Sequence, residues 1–227
     1  DIAQGAFAKE LQAYFAQTLS AERTRGTLLR FAALVHDVAK SVTRLVADDG
    51  KVHFYRHEAR GAEMAGAMMR RLRFSNDEIE FVTRCVANHL RPLFLTREPR
   101  VTNRAAYRFF RDAGETGVGV CVLTLADQRG KSAQIDAAAE EVNAVAAALL
   151  ERYYRASESV IAPPALVDGR VLMDELKISP GPRIGELLEA IREAQAGGEV
   201  KTRDDALEYA RKIVDTTKAQ KHEEKNN

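Results

Sequence analysis

The sequence predicts an all-α fold, with one short β-hairpin inserted early and a smaller helical region at the carboxyl end. Three observations support this fold class. Ala, Leu, Glu and Arg, which are compatible with helices, dominate the 227 residues. Apolar residues recur at spacings of three and four along most of the chain. Only the stretch 42–55 alternates apolar and polar residues instead.

Helical periodicity and capping residues place the elements of the first two thirds of the chain. Ser75 followed by Glu78 predicts a capping box, and Thr102 predicts a cap for the next helix. The alternation in 42–55 predicts a hairpin that turns at Asp49 and Gly50. The predicted helices span about 3–18, 24–40, 57–72, 76–90, 102–113, 116–128 and 132–155.

Ser, Pro and Gly residues mark 156–169 as a linker between two parts of the chain. The predicted domains are therefore a helical domain over 1–155 and a carboxyl-terminal helical region over 170–217. A polar tail over 218–227 is expected to be flexible. The carboxyl-terminal helices are predicted near 170–176, from Pro182 to about Ala196, and near 203–217.

Composition excludes several function classes. The 34 Lys and Arg against 33 Asp and Glu give a net charge of +1, so the chain is not a globally basic nucleic-acid binder. Cys85 and Cys121 lie in apolar stretches and indicate buried, reduced thiols of a cytoplasmic protein. The longest uncharged run, 117–126, is far shorter than the ~20 residues of a membrane helix, so no membrane partner is expected. The first residue is Asp1 rather than Met, which is typical of a fragment or a processed product.

Three of the five histidines lie on helix faces that must point inward. They are His36, His57 and His89, each near a predicted helix end. Asp37 follows His36 at ~100° around the same helix, so both side chains can converge on one ion. Asp127 ends a fourth helix on its inward face. Each residue alone is more often a hydrogen-bonded core residue or a cap, but together they favour a present-day or ancestral metal site.

Imidazole and carboxylate ligands suit a divalent transition metal, and a carboxylate can bridge two ions. His53, four residues before His57, is a further candidate for this site. Its position in the alternating stretch also fits a strand-surface side chain.

An arginine-rich stretch covers 91–111, where Glu98 is the only acidic residue. Several of its arginines are spaced three and four apart and would line one helix face, with Tyr107 and Phe110 between them. Such a stripe can follow a nucleic-acid backbone, although a solvated face with ion pairs to neighbours is equally consistent. The candidate RNA or phosphate contacts are Arg91, Arg104, Arg108 and Arg111.

The motif Val35-His36-Asp37-Val38-Ala39-Lys40, followed by His57, His89 and Asp127, resembles the His-Asp (HD) metal-dependent phosphohydrolase superfamily. Neighbouring segments narrow the likeness to the carboxyl-terminal half of bacterial tRNA nucleotidyltransferases (CCA-adding enzymes) and poly(A) polymerase-like proteins. The resemblance covers nearly the whole chain and implies an HD-type helical bundle. The segments that carry it are 54–62, 71–79, 111–114, 179–188 and 193–195.

The resemblance also implies a site and a chemistry. A divalent metal (Mn, Fe, Co, Ni, Mg or Zn) would lower the pKa of a bound water toward ~7 during phosphoester hydrolysis. The substrate would be a nucleotide or a tRNA-like RNA. Asp37 would be the central catalytic carboxylate, and Lys40 would stabilise phosphoryl charge, unless it is only a charge at the helix carboxyl end. The implied metal ligands are His36, Asp37, His57, His89 and Asp127.

Two features of the sequence limit what the resemblance implies, and the second keeps an alternative function open. The family transfers nucleotides with a head domain that carries an Asp-x-Asp pair. This chain contains no such pair and is not expected to transfer nucleotides on its own. Active HD proteins carry another His upstream of the His-Asp pair, and residues 1–35 contain none. A non-catalytic RNA-binding body with a vestigial metal site is therefore the alternative function.

Overall fold

The computed structural model describes residues 5–20, 23–131 and 136–223. Helices account for most of these residues, so the all-α prediction is confirmed. Two small antiparallel sheets of two strands each accompany the helices. In chain order the elements are α1 (Ala8–Ala16), β1 (Thr18–Ser20), β2 (Arg23–Thr24), α2 (Arg25–Val35), α3 (Lys40–Thr43), β3 (Arg44–Val46), β4 (Val52–Phe54), α4 (His57–Arg71), α5 (Asn76–Asn88), α6 (Arg91–Leu95), α7 (Asn103–Ala113), a 3₁₀ turn (Gly114–Thr116), α8 (Gly117–Gly130), α9 (Ala137–Arg155), a π-helical turn (Ser157–Ile161), α10 (Gly169–Leu176), α11 (Pro182–Ala196) and α12 (Arg203–Glu223).

The chain divides into two compact units that are not contiguous in sequence. Unit 1 comprises Asp1–Val101 and Phe109–Tyr154, and unit 2 comprises Thr102–Arg108 and Arg155–Asn227. Helix α7 therefore contributes its first half to unit 2 and its second half to unit 1. Among the described residues, no helix combines the length and apolarity that crossing a membrane requires.

The core of unit 1 forms where α2, α4, α5 and α8 pack together. A Cβ at Gly61 would lie 3.2 Å from Val86 Cγ1, so the absent side chain lets α4 approach α5 closely. The capping box of α5 is confirmed, because Ser75 Oγ accepts from the Glu78 N–H and Glu78 Oε2 accepts from the Ser75 N–H. The fully buried side chains of the unit 1 core include Leu28, Ala32, Met69, Val82, Cys85, Val86, Val120 and Cys121.

The helix predicted over 24–40 is interrupted. Helix α2 ends at Val35, a turn follows, and the short α3 starts at Lys40. Backbone hydrogen bonds in this turn span three residues, as in Lys40 N–H to Asp37 O at 3.0 Å, instead of the four of an α-helix. The turn places the His-Asp pair outside a regular helix.

The hairpin predicted in 42–55 is confirmed. Strands β3 and β4 pair with Leu45 opposite His53, and Gly50 adopts a φ of 80° in the connecting turn. Asp49 accepts a hydrogen bond from the Lys51 N–H, so this carboxylate serves the turn. The small β1–β2 sheet lies between the first two predicted helices and overlaps them only at Thr18 and Thr24.

Unit 2 has a core of its own, built from α10, α11 and α12. Asp168 caps α10 by accepting from the Val171 N–H at 2.8 Å, and Pro182 stands in the first turn of α11 as predicted. Helix α12 ends at Glu223, beyond the expected end near 217, and residues 224–227 of the expected tail lie outside the described residues. The buried core residues are Val167, Leu172, Ile184, Leu187, Ile191, Ala194, Val200, Ala206, Leu207 and Ala210.

Candidate metal centre

Four helix ends of unit 1 bring the predicted ligands together around Asp37. Its Oδ1 lies 3.3 Å from His57 Nε2 and 3.8 Å from His89 Nε2. Its Oδ2 lies 3.3 Å from His36 Nε2. Asp127, near the end of α8, places Oδ1 3.5 Å from His36 Nε2. All five residues thus meet in one place, although their role as ligands stays a prediction.

The three imidazoles are oriented in the same way. Each Nδ1 hydrogen-bonds the backbone carbonyl three residues earlier, at 2.7–2.8 Å: His36 to Ala33, His57 to Phe54, and His89 to Val86. Because the carbonyl accepts, Nδ1 carries a proton in each ring, and Nε2 is the nitrogen that faces the carboxylates. Metal-binding histidines are commonly fixed by this kind of hydrogen bond at the distal nitrogen.

Several buried polar atoms of this cluster lack hydrogen-bond partners among the described residues. They are Nε2 of His36, Nε2 of His57 and Oδ1 of Asp37. Burying such atoms unpaired is costly, and a cation held between them would remove the cost. One ligand atom each of His36, Asp37 and His89 also lies within 4.8 Å of the others. The donor set therefore fits a divalent transition metal.

Electrostatics divides the cluster into charged and neutral members. The nearby carboxylates of Asp127 and then of Asp37 raise the pKa of His36 to about 10. Burial alone would raise the pKa of Asp37, but His36 and Lys40 outweigh it and hold that pKa well below its usual range. Burial lowers the pKa of His89, which keeps this imidazole neutral. A proton on His36 thus balances the carboxylates at the position where a metal would do so.

One lysine forms an ion pair with each carboxylate of the cluster. Lys40 Nζ lies 2.6 Å from Asp37 Oδ2, and Lys131 Nζ lies 2.8 Å from Asp127 Oδ2. Burial opposes ionisation of Asp127, but His36 and Lys131 hold its pKa at about 2. Lys40 begins the four-residue α3 and is also the basic residue of its last turn, so the alternative of a charge at the carboxyl end of a helix stays open.

Sequence reasoning missed two residues that support the centre. Thr124 is buried on α8 and donates a 2.5 Å hydrogen bond to the carbonyl of His89, which ties α8 to the end of α5. Lys131 was also missed. Its spacing of four from Asp127 on a helix was the available signal.

His53 does not join the cluster. Its ring stacks on Tyr55 in the hairpin, with ring centroids 5.2 Å apart and an interplanar angle of 11°. The strand-surface alternative therefore fits its position.

The candidate RNA-contacting arginines all form ion pairs in the structure. In unit 1, Arg91 and Arg111 both contact Asp112 at 2.7 Å. In unit 2, the described partners are acidic residues of α11 and the segment after it: Arg104 pairs with Glu193 and Glu199, and Arg108 pairs with Glu193. Their role in RNA binding stays a prediction.

Comparisons with known proteins agree on one family. The family model of tRNA nucleotidyltransferase domain 2 matches residues 59–210. An A-adding tRNA nucleotidyltransferase of Deinococcus radiodurans is 32% identical over 207 residues, 88% of this chain and 45% of that protein. A CC-adding tRNA nucleotidyltransferase of Thermus thermophilus is 32% identical over 181 residues, 79% of this chain and 38% of that protein. A CC-adding enzyme of Synechocystis is 26% identical over 151 residues, 66% of this chain and 33% of that protein. The chain spans less than half the length of each relative.

Proposed function

The chain belongs to the tRNA nucleotidyltransferase family, and from this we propose that it forms the helical body of such a protein and carries a metal-dependent phosphohydrolase centre of the HD type. Its substrates would be phosphoesters of nucleotides or of tRNA-like RNA. One observation supports the catalytic part most strongly. Three imidazoles held by the same kind of hydrogen bond present Nε2 atoms to the half-buried carboxylate of Asp37, and several of these atoms have no hydrogen-bond partner among the described residues.

The side chains of the cluster have distinct parts in this proposal. His36, Asp37, His57, His89 and Asp127 would hold one or two divalent ions. The ion would activate a water for attack on phosphorus and polarise the phosphoryl oxygens. Asp37 lies within 4 Å of all three imidazoles and is the central ligand. Lys40, on the same carboxylate, is placed to neutralise charge that develops on the phosphoryl group. Nitrogen-rich ligation favours Mn, Fe, Co, Ni or Zn over Mg.

The test measures metal content and hydrolysis in the purified chain. We expect bound transition metal by mass spectrometry, and turnover of a 2′,3′-cyclic nucleotide with Mn, Co or Ni. Asp37→Asn and His36→Ala should each reduce metal content and lower kcat/KM by at least a hundredfold, because each removes a ligand. His53→Ala is the matched control, since that histidine lies outside the cluster.

Unchanged metal content and rate in Asp37→Asn would contradict the catalytic proposal. The alternative is a non-catalytic tRNA-binding body. It is supported by the relatives, whose names describe enzymes that add nucleotides to tRNA. A wild-type chain that binds tRNA but holds no metal and hydrolyses no phosphoester would support that alternative.

A further inference from the structure

A surface cleft of about 500 Å³ opens in unit 1 between α3 and the first turns of α4. Its volume is in the range of pockets that hold small ligands. Both of its helical walls begin at the candidate metal centre, because α3 starts at Lys40 and α4 starts at His57. None of the five candidate metal ligands lines the cleft. The lining residues are Val42, Thr43, Tyr55, Arg56, Ala59, Arg60 and Glu63.

The cleft offers an aromatic surface. The Tyr55 side chain is 63% exposed, although large aromatic residues are usually well covered. Its ring is held by nearly parallel stacking on His53. Val42, also 63% exposed, adds an apolar wall. Rigid exposed aromatic rings are the surfaces on which unpaired bases stack in single-stranded nucleic-acid sites.

The cleft also carries one positive charge without a described counter-ion. Arg60 pairs with Glu63 at 2.5 Å, so these two side chains neutralise each other. Arg56 is exposed, and its guanidinium makes no hydrogen bond or ion pair with any residue in the described part of the chain. A single uncompensated guanidinium suits a single phosphodiester group.

The backbone at Arg56 indicates that its side chain is there for a reason other than folding. Arg56 has φ 57° and ψ 26° at the residue before α4, where an extended conformation is usual. The other non-glycine residues with positive φ, Arg73 and Lys177, follow helix carboxyl ends, where this conformation is common. The turn allows His57 Nδ1 to reach the Phe54 carbonyl. Glycine would adopt this conformation more easily, yet the position holds an arginine.

From these features we propose that the cleft is a subsite for one unpaired nucleotide of single-stranded RNA, with the base stacked on Tyr55 and the neighbouring phosphodiester paired with Arg56. The inference does not depend on the reaction proposed above. It assigns the ligand class of the cleft: single-stranded RNA with at least one unpaired nucleotide, rather than inorganic phosphate.

The test measures equilibrium binding of a fluorescein-labelled single-stranded ribotetranucleotide to the full chain. Fluorescence anisotropy reports the binding, and a metal chelator is present. Tyr55→Ala should weaken binding about tenfold, whereas Tyr55→Phe should retain it, because the stacking face is preserved. Arg56→Gly should weaken binding and reduce the slope of log affinity against log salt by about one. Arg73→Gly is the control, because it relieves the same backbone conformation outside the cleft.

Thermal melts establish that each variant is folded, and Arg56→Gly is expected to be at least as stable as the wild type. Adenosine monophosphate should compete with the oligonucleotide at concentrations where inorganic phosphate does not. Binding by Tyr55→Ala and Arg56→Gly at wild-type strength would overturn the proposal, as would equal competition by phosphate. Intact cleft binding without any metal-dependent hydrolysis would contradict the proposed function and leave this inference standing.

Discussion

At the scale of single residues, the centre combines three imidazoles with a carboxylate, Asp37, that is already paired with a lysine. Lys40 Nζ and His36 Nε2 both contact Asp37 Oδ2, at 2.6 Å and 3.3 Å. Positive charges around a carboxylate lower its proton affinity and also weaken its attraction for a second cation. Lys40 therefore affects metal affinity and phosphoryl chemistry in opposite directions.

This argument predicts the effect of Lys40→Met. Metal affinity should rise severalfold, because Asp37 loses its competing ammonium, while kcat should fall about tenfold through the loss of charge stabilisation. Calorimetric metal titration and steady-state hydrolysis measure the two effects. Lys51→Met is the control, since Lys51 pairs with Asp49 in the hairpin turn. If neither quantity changes relative to that control, Lys40 has no part in the site.

The helical period of the sequence brings three members of the cluster together in the structure. His57, His89 and Asp127 follow apolar rows of their helices, so the helical period was enough to bring them inward. The contacts of Asp37 depend on the break after α2 and on His57 and His89, which lie 20 and 52 positions further along the chain. Local periodicity carries no information about either.

At the scale of elements, the interruption of α2 and the start of α5 determine how the centre is supported. Helical propensity favoured a continuous helix through residue 40, because residues 24–40 contain no Gly or Pro after Gly26. Tertiary contacts override this preference in the structure. At the start of α5 the structure follows the local sequence preference, because the Ser75–Glu78 pattern predicted a cap that the structure confirms.

Glu78 does more than cap its helix, and its charge is predicted to stabilise the fold. Its side chain is fully buried, yet Arg23 Nε lies 2.6 Å from it. Burial favours the neutral acid, but hydrogen bonds from Arg23 and the Ser75 backbone outweigh it and lower the pKa to about 2. Glu78→Gln keeps a capping side chain and removes the charge. It should cost about 2 kcal/mol of unfolding free energy at pH 7.

The pH dependence of this effect has a definite sign. The folded-state pKa of Glu78 lies below the unfolded value, so its stabilisation is present above pH ~4.5 and is lost as pH falls toward 2. Urea unfolding at pH 7 and pH 3 should therefore show a smaller difference between wild type and Glu78→Gln at the lower pH. Glu80→Gln, which removes an exposed pair with Arg84, should cost at most about 0.5 kcal/mol. Equal effects of the two variants would contradict the argument.

At the scale of the whole molecule, neither unit is one continuous stretch of sequence. The first half of α7 belongs with residues 155 onward, and Tyr107 donates its hydroxyl proton to Glu189 of α11. A boundary sought only in Pro- and Gly-rich stretches cannot reveal such an arrangement, because it depends on contacts between residues about 80 positions apart.

Variants of Arg104 and Arg108 distinguish a structural role from an RNA-binding role for the first half of α7. If they contact tRNA, Arg104→Ala combined with Arg108→Ala should weaken tRNA binding and reduce its salt slope by about two. The control double variant, Arg203→Ala with Arg211→Ala, removes the same charge from pairs with Glu175 in the same unit. Filter binding at several salt concentrations measures both. Equal loss in the two would mean that the α7 arginines serve only their ion pairs with glutamates.

The shared orientation of the three imidazoles has a consequence for how this centre tolerates sequence change. The groups that orient the rings are main-chain carbonyls of Ala33, Phe54 and Val86. Side-chain substitution at those positions leaves the carbonyls in place, so three of the centre's supporting contacts cannot be removed by an ordinary point mutation. Divergent chains can therefore exchange most of the surrounding side chains while the histidine rings keep the same orientation.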